Sequence, residues 1–131
     1  MKKSILLVSH SKEITDGIKA MVEQMSQKEE VSIFSLGGTT DGELGSDPTK
    51  IIAAVEASPD AAYYLVFADL GSAVLSAELA FDMLSESAQK KYHLIDAPLV
   101  EGAFAAAITA GITDDMEKIV LEAKQAGQKG W

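Results

Sequence analysis

Residues 4–9, Ser-Ile-Leu-Leu-Val-Ser, form a short and almost continuous apolar run, the pattern of a strand buried on both faces. A helical stretch follows. Its apolar residues Ile14, Ile18, Met21, Val22 and Met25 fall on one amphipathic face, with Ser11 as N-cap and Glu13 in the first turn. Residues 31–36 alternate apolar and small polar side chains and predict a second strand. Asp47-Pro48 reads as a cap and first position of a helix, with Ile51, Ile52 and Val55 as its apolar stripe. Residues 61–69 predict a third strand. Residues 73–84 then predict a helix that is apolar nearly all round (Val74, Leu75, Leu79, Phe81, Met83) and so expected to be buried, or to meet another subunit. A fourth strand is predicted over 92–97, closed by Pro98. An Ala-rich helix over 102–111 and a last helix from Thr113 to near Gly127 complete the chain.

Strands that alternate with helices predict an α/β fold: an open, mainly parallel sheet of four or five strands with helices on both faces. The chain has 131 residues and no internal repeat or linker, which fits one domain over residues 1–131. In such sheets ligands bind beyond the carboxyl ends of the strands, where the strand order reverses. The residues to question are therefore Ser9-His10-Ser11, the loop 37–47, Asp69-Leu70-Gly71-Ser72 and Asp96-Ala97-Pro98.

Charge narrows the partners. With 20 acidic and 11 basic residues the net charge is −9, which disfavours nucleic acid and an anionic membrane surface. There is no cysteine, so disulfides, thiol nucleophiles and Cys-ligated metals are excluded. The longest apolar run near the N-terminus has four residues, against about 7 for a signal core and about 18 for a membrane span. A soluble protein of the cytoplasm is the expectation.

His10 is the sharpest chemical feature. An imidazole is nucleophilic and exchanges protons near neutral pH, and at a strand end it stands beside helix N–H groups that can hold phosphoryl oxygens. Its plain alternative is a loop histidine without a role. Asp69 ends a strand that could neighbour the first. Its carboxylate either accepts from Nδ1–H of His10, fixing the tautomer and leaving Nε2 as nucleophile, or caps a helix. Gly71 and Ser72 offer N–H groups and a hydroxyl at a helix start; Ser11, Gly38 and Thr39 could add donors. The loop 37–47 holds four of the ten glycines. It has no Gly-Lys-Ser/Thr and no Gly-x-Gly-x-x-Gly, so it is neither a Walker loop nor a dinucleotide fingerprint. His93 lies inside a predicted strand and reads as a packed structural residue. Tyr63, Tyr64 and Phe67 read as core. No His/Asp/Glu cluster has metal-ligand spacing, so no metal site is expected.

Three segments carry a family resemblance: Val-Ser-His-Ser closing the first strand, Gly-Gly-Thr-Thr-Asp-Gly-Glu-Leu-Gly-Ser-Asp after the second and Ala-Asp-Leu-Gly-Ser-Ala after the third. Together they resemble the phosphotransferase subunits of bacterial dihydroxyacetone kinases, the DhaM family, whose fold is similar to mannose-type IIA domains of the sugar phosphotransferase system. The resemblance runs over essentially the whole chain. It implies that His10 takes a phosphoryl group from the phosphocarrier HPr and returns it to ADP held on a DhaL subunit, which works with DhaK on dihydroxyacetone. It also implies a homodimer and no cofactor of the chain's own. The alternatives are a mannose-type IIA component serving a IIB partner, and a regulatory module that binds an anion reversibly. An aspartyl-phosphate receiver is disfavoured, because no acidic cluster follows the first strand.

Overall fold

The computed structural model describes residues 1–25 and 28–128. Its strands are β1 (Lys3–Val8), β2 (Val31–Ser35), β3 (Tyr63–Ala68) and β4 (Tyr92–Leu94). Its helices are α1 (Lys12–Met25), α2 (Pro48–Ala57), α3 (Gly71–Met83), α4 (Glu86–Gln89), α5 (Leu99–Ala110) and α6 (Met116–Gln125). All strand pairs are parallel and the sheet order is β2-β1-β3-β4. The chain first steps from β1 outward to β2, then returns across β1 to β3. The order therefore reverses between β1 and β3, which opens a crevice at their carboxyl ends.

Alternation of side chains across the central strands builds two cores. Ile5, Leu7, Leu65 and Phe67 face α1, α5 and α6. Leu6, Val8, Tyr64 and Val66 face α2 and α3. Each face is thus covered by helices, as the continuous apolar run of β1 requires. The buried hydroxyl of Tyr92 donates to the Ala77 carbonyl at 2.7 Å, and that of Tyr64 donates to Ser58 O at 2.6 Å.

Four differences from the expected elements stand out. Strand β4 stops at Leu94, and α5 begins directly after Pro98 rather than at 102. The short α4, capped by Ser85 Oγ on the Ala88 N–H, carries no apolar period to announce it. On α1, Ile18 and Val22 are buried with Thr15, whereas Ile14, Met21 and Met25 are exposed. The helix is rolled toward Thr15 because its Oγ1 accepts the Gly37 N–H at 2.9 Å and the Ser35 hydroxyl at 2.8 Å.

The fourth difference concerns α3. It buries Ala73, Ser76, Ala77 and Ala80, and it shows its large side chains: Leu75 is 57% exposed, Leu79 45% and Met83 65%. Small residues allow the helix to lie close on β3 and α2, so the bulky ones are left outside.

The far end of the sheet is fastened by a buried lysine. Lys3 Nζ donates to Ala110 O (2.8 Å), Thr113 O (3.0 Å) and Asp114 Oδ1 (2.6 Å). It thereby holds the end of α5 and the turn toward α6.

Candidate functional site

His10 stands exposed just beyond β1, at the β1/β3 crevice. Three segments meet there. The first is its own turn, residues 9–11. The second is the glycine loop after β2, which grips that turn through the main chain: Gly38 N–H donates to Ser9 O at 3.0 Å and Gly45 N–H to His10 O at 2.8 Å. Gly38 is required for this, because its φ is +75° and its N–H must point into the turn. Gly37 is required for a different reason. A Cβ there would lie 2.2 Å from the Ser11 carbonyl oxygen.

The third segment follows β3. Register places Val8 opposite Ala68, so Asp69 emerges beside Ser9. Its carboxylate bridges the two turns: Oδ2 accepts from Ser9 Oγ at 2.6 Å and Oδ1 from Leu70 N–H at 2.7 Å. Ser9 Oγ in turn accepts the Ser11 N–H at 3.0 Å. Helix α3 then begins with Gly71 and Ser72, whose N–H groups have no carbonyl behind them within the helix. Ser72 Oγ lies 3.5 Å from His10 Nδ1, a long contact of the kind that tightens on complex formation. In the tautomer that carries its proton on Nδ1, that oxygen is the acceptor and Nε2 keeps a free lone pair. Ser46, from the end of the glycine loop, fastens α3 by donating to Ser72 O at 3.0 Å and pairing with Ser76 Oγ at 2.7 Å.

The structure thus brings His10, Ser72, Gly71 and Asp69 to one crevice, together with Ser11. It places Gly38 and Thr39 at the base of the loop, where their N–H groups are directed to Ser9 O and Glu43 O. Asp69 meets Ser9 and Leu70 rather than a ring nitrogen, and α3 has no side-chain cap. Sequence reasoning placed Ser9 among the strand-end residues but gave it no role. Its signal was a hydroxyl closing an otherwise apolar strand.

Asp47 supports the loop from its far end. It accepts from Thr49 N–H at 2.9 Å and from the Thr40 and Thr49 hydroxyls, and these bonds, Thr40's first, hold its pKa down at about 2. Lys50 Nζ donates to Gly37 O at 2.7 Å. His93 is half-buried, packed edge-on to Tyr63 with ring centroids 5.8 Å apart, and burial lowers its pKa. A cleft of about 540 Å³ opens between the ends of β3 and β4, lined in part by Asp69, Val74, Leu94 and Asp96; His10 is not in its lining. No group of three or more His, Asp or Glu side chains among the described residues could hold a metal ion. Nor is any helix among them long and apolar enough to cross a membrane.

An open parallel sheet covered by helices on both faces is a fold this chain shares with mannose-type IIA proteins. The mannose/sorbose-specific IIA subunit from Enterococcus faecalis superposes with a TM-score of 0.67 at 21% identity, over 98% of this chain and 91% of that one. Residues 4–120 match the EIIA-man family, described as the PTS system fructose IIA component. The chain belongs to this family and, within it, to the DhaM group of dihydroxyacetone kinase subunits. It is 42% identical over 119 residues to "PEP-dependent dihydroxyacetone kinase 2, phosphoryl donor subunit DhaM" of Listeria innocua, covering 91% of this chain and 94% of that protein. Against the DhaM of Providencia stuartii it is 39% identical over 95% of its length but spans only 26% of that longer protein. A solved crystal structure of a protein of unknown function matches with a TM-score of 0.94 and 67% identity, covering 100% of this chain and 98% of that one.

Proposed function

We propose that this chain is the phosphoryl-donor subunit of a phosphoenolpyruvate-dependent dihydroxyacetone kinase, with His10 as the carrier. HPr supplies the phosphoryl group, and ADP bound on DhaL receives it for use with DhaK. The observation that carries this reading is the exposed imidazole of His10 facing the first turn of α3 across the β1/β3 crevice.

In the first step the Nε2 lone pair attacks phosphorus in line. The N–P bond forms as the donor's bond to phosphorus breaks, and the donor keeps that electron pair. In the second step a terminal phosphate oxygen of ADP attacks, and the N–P electrons return to the ring. Both steps need positioning and charge stabilisation more than covalent machinery. The free N–H groups of Gly71 and Ser72 and the α3 dipole suit the phosphoryl oxygens. Ser11 belongs to the turn that carries His10; Gly38 holds that turn from the glycine loop, and Thr39 closes the loop on Glu43.

Protein partners suit the surroundings. Leu44 of the glycine loop, Leu70 beside Asp69 and Ile14 in the first turns of α1 are large and exposed on the segments that converge at His10. The exposed α3 face of Leu75, Leu79 and Met83 suits a homodimer contact.

The test is intact mass after incubation with phosphoenolpyruvate, enzyme I and HPr. A gain of about 80 Da is expected, acid-labile and base-stable. His10→Gln, which should stay folded, is expected to gain nothing, and His93→Ala is expected to remain competent. Full labelling of His10→Gln removes the proposal. Discharge of the phosphoprotein by DhaL with ADP, and not by a IIB domain, separates this reading from a sugar-uptake IIA component.

A further inference from the structure

We propose that Ser9 is a positioning residue for His10, and that it links Asp69 to the turn that carries the imidazole. The inference rests on His10 being the phosphoryl carrier.

Ser9 has no exposed surface, so its hydroxyl must find partners inside the protein. It finds two. It donates to Asp69 Oδ2 at 2.6 Å, a short charge-assisted bond, and it accepts the Ser11 N–H at 3.0 Å. Its carbonyl takes the Gly38 N–H. One small residue therefore joins β1, the glycine loop and the turn after β3. Residues 9 and 11 flank His10, and both are held through this single oxygen.

The other carboxylate oxygen of Asp69 holds Leu70 N–H, one residue before α3. Asp69 thus clips two turns together. On one side is the turn that carries the nucleophile. On the other is the helix start whose Ser72 hydroxyl meets Nδ1. The spacing between attacking nitrogen and oxygen-binding N–H groups depends on this clip. Its two carboxylate oxygens serve Ser9 and the backbone, which gives the acid a place in the clip.

A double-mutant cycle tests the link. Ser9→Ala, Asp69→Asn and the pair are each assayed for phosphoryl uptake from phospho-HPr. Ser9→Ala is expected to lower the rate at saturating donor by about 10–100-fold, with KM little changed and labelling still reaching one group per chain. The double variant is expected to be no slower than the slower single variant. Multiplying effects would show that Asp69 and Ser9 act separately and overturn the proposal. The unphosphorylated chain gives an independent readout. Ser9→Ala is expected to move the ring ¹⁵N resonances of His10 and leave those of His93 in place; an unmoved His10 overturns the proposal. This readout holds even if wild-type protein takes no label, so the two ideas fail separately. Should Ser9→Ala not fold, Ser9→Cys, of similar size and a weaker donor, is carried through the same cycle and spectra, with the same effects expected in the same direction.

Discussion

Replacing Gly37 with alanine probes the seat of the histidine turn directly. The new Cβ would lie 2.2 Å from the Ser11 carbonyl oxygen, 2.6 Å from Thr15 Oγ1 and 2.8 Å from the Ser11 carbonyl carbon. The first of these is roughly 1 Å inside van der Waals contact, and the obstacle is main chain rather than a flexible tip. Either β2 or the first turn of α1 must move. Moving them costs about 1–3 kcal/mol, as overpacked sites do. Separation also weakens the bond from Gly37 N–H to Thr15 Oγ1, worth about 1 kcal/mol more. The expected loss is about 2–4 kcal/mol, seen as a lower urea midpoint at unchanged m and a Tm lower by roughly 10 °C. Phosphoryl uptake should fall as well, because the displaced segment begins one residue after His10. The matched control is Gly17→Ala. Gly17 lies in α1, and its Cβ would meet nothing within 4 Å, so stability should rise by about 0.5–1 kcal/mol. A Gly37→Ala protein within about 0.5 kcal/mol of wild type, labelled at the wild-type rate, would refute the reasoning.

Acid should act on the glycine loop. The Asp47 pKa is depressed from 3.8 to about 2, so its stabilising contribution is present above about pH 4 and is lost as pH falls through about 2; Asp47→Ala should flatten that limb of a stability–pH curve and cost about 1 kcal/mol at pH 7. Lys3→Met leaves the Ala110 and Thr113 carbonyls without their ammonium donor and is expected to cost about 2–3 kcal/mol by urea unfolding, with phosphoryl uptake at the opposite end of the sheet unaffected. Leu75→Glu combined with Leu79→Glu should convert a dimer to a monomer in light scattering; a monomeric wild type would rule out the α3 contact.

Much of this architecture was legible because its signals are local. The apolar run of β1 and the Asp47-Pro48 cap each state their own structure. Parallel pairing followed from alternation, whereas the neighbouring of β1 and β3 stayed open in the sequence; the reversal between them, which gathers His10, Asp69, Gly71 and Ser72 at one crevice, is set by the packing of the helices on the two faces. Signals that depend on partners in space were not legible. Nothing in the sequence of α3 says which side faces in, since a helix apolar all round has no preferred face, and close packing chose the alanines. Thr15 reads as polar surface until Gly37 and Ser35 are brought beside it. Ser9 reads as a strand end until register sets Asp69 next to it. The donors of Gly38 and Thr39 looked free on a loop; they are directed to Ser9 and Glu43.

That last point separates two duties along eleven residues. Base and exit of the loop, Gly38 and Gly45, latch onto the main chain beneath the imidazole, while positions 41–44 between them project into solvent. The latch reads no side chain at the tip. The tip can therefore diverge, gaining or losing charge and bulk to suit a new docking surface, while the imidazole of His10 stays where it was. One scaffold of this kind can be readdressed to different acceptors without rebuilding its chemistry.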